Sequence, residues 1–269
     1  MATEVKQQVR SNPGSGVAVQ VCAAVSGGLA LLALLSWTCN AWELGTFGRG
    51  YIPMAPSTAC LFLLLGLGIS LRFRRPEKPI IHRLAYFAVL ITVLASLLTL
   101  AHQAFGFELF VERWWTPAPA TVGNIPVGRM SPLTALAFLL NALAFLLTLP
   151  PFDRRRTYRQ TSSLMATATL LISLAVLMGY AVGAPLLYSS RVVPMALLTA
   201  FSFALLSFGI LIAIGPSTVP LSLFRSPSGT PAYPAPGRFL RGPIVIFLLL
   251  IATIGTSGAF YLRTRLLQS

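Results

Sequence analysis

Seven stretches of this chain are apolar at nearly every position, and its charged residues are confined almost entirely to the segments between them. The stretches are about Val17–Trp37, Pro56–Leu71, Leu84–Phe105, Pro132–Leu149, Leu164–Val182, Pro194–Ile214 and Pro243–Tyr261. A helix rising about 1.5 Å per residue crosses a hydrocarbon core in roughly twenty residues, so each reads as a candidate span. The second is the shortest and needs flanking residues to reach across. Helix starts are marked chemically. Ser131–Pro132 pairs a capping side chain with proline at the first helical position, and Pro56, Pro194 and Pro243 are expected to open helices similarly.

The second, fourth and sixth stretches begin alike: PMAPSTACLFLLLGLG from Pro53, RMSPLTALAFLLNALA from Arg129 and PMALLTAFSFALLSFG from Pro194. Aligning Met54, Met130 and Met195 matches Thr58, Thr134 and Thr199 without gaps. Phe62, Phe138 and Phe203 then match in turn. Small residues follow, at Gly66, Ala142 and Ser207 and again at Gly68, Ala144 and Gly209. Such self-similarity defines a building block. Here it is an antiparallel helix pair, expected over 17–73, 84–150 and 161–214, forming a six-helix body over 17–214. A tail over 1–16 precedes this body. A Pro/Gly-rich linker over 215–242, a seventh span over 243–262 and a tail over 263–269 complete the expected organisation.

Spacing gives the matched positions a physical meaning. Met, Thr and Phe are four residues apart, so they project from one helical face, with Met expected at the membrane interface. The small residues deeper in allow close backbone approach, which matters because lipid offers no hydrophobic drive for helix association. One reading makes the stripe the seam on which three hairpins pack. The other has the three threonines converge on a pseudo-threefold axis and bind a small ligand at the outer leaflet.

Composition agrees with lipid as the solvent. The chain of 269 residues is 55% hydrophobic and 10% charged, against about a quarter charged in soluble domains. Its formal charge of +14 sits in clusters between apolar runs, the pattern of cytoplasmic loops rather than of a nucleic-acid surface. Fourteen of the twenty Lys and Arg residues fall on the N-terminal tail and the even-numbered connections. That asymmetry predicts the N-terminus and even connections in the cytoplasm, with the C-terminus outside. Trp114 and Trp115, in the third connection, are expected at headgroup level.

Chemistry inside the spans is sparse. All six acids (Glu4, Glu43, Glu77, Glu108, Glu112 and Asp153) lie outside the spans, and no Lys lies within one. Ionisable groups within the bilayer mark proton relays and ion paths, so a pump, an ion-coupled transporter and a retinal protein are disfavoured. Cys22, Cys39 and Cys60 show no metal or disulfide spacing. His82 and His102 stand at opposite ends of one run, about 30 Å apart, and cannot share a metal or haem. The polar intramembrane residues are His102, with Gln103 beside it, and Asn141, expected to hydrogen-bond across a helix interface. No catalytic set, metal site or cofactor motif is apparent. The expectation is a non-enzymatic protein with bound lipid and no nucleic-acid partner.

The strings PMAPSTACLFLLLGLGISL, GRMSPLTALAFLLNALAFLL and GYAVGAPLLYSSRVVPMALLTAFSFALLSFGIL resemble the N-terminal membrane region of bacterial sensor histidine kinases and diguanylate cyclases that carry PAS or GAF modules. The resemblance covers about Val17–Ile214. It implies an inner-membrane input module, with the seventh span resembling the helix that leads into an extracytoplasmic sensor domain. No output module follows in this sequence, so the chain is expected to be either a piece of a sensor or a separate accessory subunit. In the second case its partners would be other membrane subunits, of a respiratory or photosynthetic complex, or a second copy of itself. The fold expectation is therefore an all-α integral membrane protein of about seven transmembrane helices: three repeated hairpins plus one C-terminal helix.

Overall fold

The computed structural model describes residues 13–39, 41, 46, 51–74, 78–105, 121–122, 125–182, 193–215 and 218. Within them the chain forms α1 (Pro13–Thr38), α2 (Pro56–Arg74) and α3 (Pro79–Phe105), then α4 (Pro132–Leu146), α5 (Arg156–Ala181) and α6 (Leu197–Ile214). A two-residue antiparallel pair, β1 (Thr121–Val122) with β2 (Ile125–Pro126), lies between α3 and α4. Five helices, all but α4, are long and apolar enough to cross a membrane. The expected seventh span, nearly all of the linker, both chain ends, and Trp114 and Trp115 lie outside the described residues.

Helix boundaries depart from the apolar runs in an instructive way. α1, α3 and α5 begin at Pro13, Pro79 and Arg156, several residues before Val17, Leu84 and Leu164. Hydrocarbon thickness limits where a run must be apolar, but it does not end a helix whose next turn is polar and helix-compatible. α4 is shorter than its run because Pro150 and Pro151 follow and proline cannot continue the ladder. Leu147, Thr148 and Leu149 close it with tightened turns. α6 starts at Leu197 rather than Pro194. In the alignment on methionine, Pro194 corresponds to Pro53, which precedes its helix, rather than to Pro56, which opens one.

Packing sorts the helices into two shells. α1 packs on α2 and α6, α3 on α2 and α4, and α5 on α4 and α6, while α2, α4 and α6 touch one another. Each of α1, α3 and α5 therefore fills a groove between two inner helices, an arrangement approximating threefold symmetry. Burial agrees: 72% of the apolar window of α6 is enclosed, against 33% in each of α1, α3 and α5.

The outer helices are turned inside out relative to those of a soluble protein. α3 buries Ala85, Ala88, Thr92, Ser96 and Thr99 and exposes Leu84, Phe87, Leu90, Leu94 and Leu97. α5 likewise buries Ser162, Ser163, Ala166, Thr169 and Ser173 and exposes Leu164 and Leu171. Large apolar residues face outward because lipid accepts them, and small ones face inward because close packing is what holds such helices together. The buried hydroxyls satisfy themselves by donating one turn back, Thr92 to Ala88 O at 2.7 Å and Ser96 to Thr92 O at 2.7 Å. Apart from the short β1–β2 pair, the described residues thus form a helical bundle suited to a membrane.

The inner and outer shells meet at small residues. A Cβ placed on Gly68 would lie 3.2 Å from the Cβ of Ala88 in α3, and one on Gly209 would lie 3.3 Å from the Cβ of Cys22 in α1. At Ala144, the aligned position of α4, Ser162 of α5 donates to the backbone carbonyl at 2.7 Å. Three aligned positions therefore carry the close crossings to three different outer helices.

Candidate functional site

All nine stripe residues are buried: Met54, Thr58, Phe62, Met130, Thr134, Phe138, Met195, Thr199 and Phe203. The methionines are 0–3% exposed, and each precedes the first residue of its helix rather than lying on the helical face with Thr and Phe. The backbone carbonyl of each methionine accepts a hydrogen bond from the last turn of the preceding outer helix. Trp37 Nε1 donates to Met54 O at 2.9 Å, Tyr180 Oη to Met195 O at 2.8 Å, and Gln103 Nε2 to Met130 O at a long 3.5 Å. Three chemically different donors perform one task. That difference hid them from a search for matching residues, and only Gln103 stood out in the sequence.

Below the methionines the three phenylalanines close the axis. Phe62, Phe138 and Phe203 have ring centroids 4.6 Å apart in every pair and tilt against one another by 52–68°. Edge-tilted contacts are the arrangement that the ring quadrupole favours. The cluster forms a dry floor beneath the helix starts.

Above this floor the three inner helices meet at a small, partly open funnel with a cavity volume of about 10 Å³. Nine of its ten lining residues are three aligned triples: Pro53, Arg129 and Pro194; Ala55, Ser131 and Ala196; Thr58, Thr134 and Thr199. The funnel is thus where the three helix starts meet. In each helix the first intrahelical bond is equivalent, running from Ala59, Ala135 and Ala200 N–H to Ala55, Ser131 and Ala196 O, all at 3.0 Å. The amides before it have no partner within the helix.

The triples differ in capping. Ser131 Oγ accepts from Thr134 N at 3.0 Å and lies 2.8 Å from Thr134 Oγ1, so α4 caps itself. Ala55 and Ala196 have no side chain able to do this, and α6 has no side-chain cap. Thr58 and Thr199 are each 2% exposed, and among the described residues neither hydroxyl has a hydrogen-bond partner. Among the described residues no acidic residue lines the funnel, and Arg129 stands exposed at its rim.

The other polar residues singled out in the sequence lie elsewhere. Asn141 is fully buried in α4 and exchanges hydrogen bonds with Ser207 of α6, Nδ2 to Oγ at 3.0 Å and Oγ to Oδ1 at 3.3 Å. This pair fixes the register of two inner helices. Replacing Asn141 with alanine is expected to cost about 1 kcal/mol, and a double-mutant cycle with Ser207→Ala should show most of that loss as coupling. His102, in the last turn of α3, is half-buried. His82 begins the same helix, with Nδ1 buried and unpartnered. No group of three metal-ligating side chains occurs among the described residues.

The opposite end of the bundle is basic and separately tied. Arg159 Nη2 donates to Ile214 O at 2.5 Å, capping α6, and Tyr86 Oη donates to Pro150 O. Comparison with protein-family models, with curated proteins and with solved structures returns no match for this chain.

Proposed function

We propose that this chain is a non-catalytic, multi-pass membrane module, one helix hairpin written three times and followed by a seventh span. Its task is to receive a signal at the methionine end and pass it through the packing of the three inner helices. The observation that carries this reading is the convergence of Thr58, Thr134 and Thr199 on one funnel. A single occupant there touches α2, α4 and α6 together, so its binding free energy acts directly on their spacing. A ligand shifts an equilibrium only through differential contact with its two states, and a site at the junction of three helices supplies such contact. The resemblance to bacterial sensor input regions and the fourteen-to-six bias of basic residues support an inner-membrane location with the funnel facing outward.

The test is to fill the funnel and watch the far end. Thr199→Phe places a ring in the space, and spin labels at Lys78→Cys and Arg156→Cys report the spacing of α3 and α5. The native cysteines Cys22, Cys39 and Cys60 are replaced by alanine beforehand. In lipid nanodiscs the label distance is expected to shift by about 1–2 Å, the size of typical helix displacements in switching proteins. An unchanged distance in a folded variant would contradict signal transmission. Stable co-purification with other membrane subunits would then favour the accessory-subunit reading.

A further inference from the structure

At the end of the bundle opposite the funnel, three segments bring opposite charges together and leave them unpaired. Gly68, one turn before Arg72, lies against Ala85 and Ala88 of α3 and Phe145 of α4. Arg72, in the last turn of α2, is therefore set beside the start of α3 and the segment that follows α4. Tyr86 of α3 donates to Pro150 O and ties that segment down just before Asp153. Asp153 acts electrostatically on both Arg72 and Tyr86, yet Arg72 and Asp153 form no ion pair. Arg72 Nε and Asp153 Oδ1 are buried without a hydrogen-bond partner, and so is Nδ1 of His82, which shares a face of α3 with Tyr86 one turn away. Buried polar and charged groups left this way are costly. All three residues are only half-buried, so their outer ends stay reachable.

We infer that this cluster holds the headgroup of one zwitterionic phospholipid bearing a primary ammonium, of the phosphatidylethanolamine type. Its phosphate accepts from the Arg72 guanidinium and from His82, and its ammonium donates to the Asp153 carboxylate. The depth fits. Arg72 immediately follows the apolar stretch of α2, and His82 stands just before that of α3, which puts both at headgroup level. The acyl chains also have a surface. Leu90 and Leu94 continue the His82–Tyr86 face one and two turns deeper, and they are 55% and 50% exposed. An apolar stripe running down from the charges selects a lipid over a soluble phosphoamine. Charge then selects among lipids. A purely anionic headgroup answers Arg72 but is repelled by Asp153, and a choline headgroup has no N–H to donate. The ethanolamine headgroup satisfies both residues and joins the ends of two neighbouring hairpins. This site lies far from the funnel and does not depend on the signalling reading.

The full chain, purified in mild detergent, is exposed to equal amounts of phosphatidylethanolamine, phosphatidylglycerol and phosphatidylcholine. Retained lipid is then counted by native mass spectrometry. One phosphatidylethanolamine is expected to remain, preferred over the other two by about tenfold. Asp153→Asn, which keeps the size of the side chain, should abolish that preference. Arg72→Gln should weaken retention of phosphatidylethanolamine by about tenfold or more. Should Arg72→Gln fail to fold, Asp153→Asn, outside the spans, still decides. No preferred lipid in the parent, or the same preference in the parent and Asp153→Asn, overturns the inference. A direct Arg72–Asp153 ion pair in place of a bound headgroup would show as similar losses of stability in both variants with no preferred lipid, and overturns it as well.

Discussion

Phe138→Ala, Phe62→Ala and Phe203→Ala are expected to destabilise the bundle by similar amounts, about 2–4 kcal/mol each. In water a buried Phe→Ala change costs about 3–5 kcal/mol, combining lost transfer energy with the cavity left behind. Lipid removes much of the transfer part, because the unfolded helices are solvated by hydrocarbon as well. What remains is lost dispersion and an empty volume on the axis. Each ring touches the other two at 4.6 Å, so the three losses should be alike although the residues belong to different helices. Any double alanine variant should cost less than the sum of its singles, since the first cavity already deprives the second ring of a partner. Reversible unfolding by SDS in mixed micelles, followed by circular dichroism, measures all six variants. Widely unequal single losses would contradict equivalent packing.

Gly209→Leu and Gly68→Leu are expected to be more severe, costing about 3 kcal/mol or more and reducing the folded yield. At these glycines even a methyl group meets a neighbour at 3.2–3.3 Å, a Cβ of α3 or α1, tighter than ordinary contact. A leucine side chain must separate two helices, losing contacts along the whole crossing. Gly68→Ala should be milder, at about 1 kcal/mol, because the overlap is partly offset by better helix propensity. Gly28 supplies the control. A Cβ there meets nothing within 4 Å, and Gly28→Ala should gain about 0.5 kcal/mol. The same micelle assay reads all four. Tolerance of leucine at Gly209 would mean that α1 and α6 do not cross there.

Much of this architecture is legible in the sequence because the helices are apolar in long runs and the inner ones share side chains. The Thr–Phe spacing puts six residues on the inner faces of α2, α4 and α6, and Asn141 signals its interhelical bond by being polar where its neighbours are not. What escapes the sequence is carried by residues that are equivalent in position but different in kind. Trp37, Gln103 and Tyr180 support the three methionine carbonyls, and no pattern of identities links an indole, an amide and a phenol. The buried Thr92, Ser96 and Thr99 stripe was present as a period opposite the leucines of α3, but hydroxyls that bond their own helix do not interrupt an apolar run. That the methionines precede their helices is not legible either, because the segments that lead into α2, α4 and α6 have no periodicity to read.

The central claim is that the starts of α2, α4 and α6 surround one funnel. Cysteine cross-linking in native membranes tests it most directly. In a chain lacking Cys22, Cys39 and Cys60, three pairs are made: Thr58→Cys with Thr134→Cys, Thr134→Cys with Thr199→Cys, and Thr58→Cys with Thr199→Cys. Each is treated with a short bifunctional thiol reagent. All three pairs should cross-link within one chain, with comparable efficiency, because each threonine faces the other two across the same space. Cross-linking of only one pair, or of none, would contradict a threefold meeting of the inner helices.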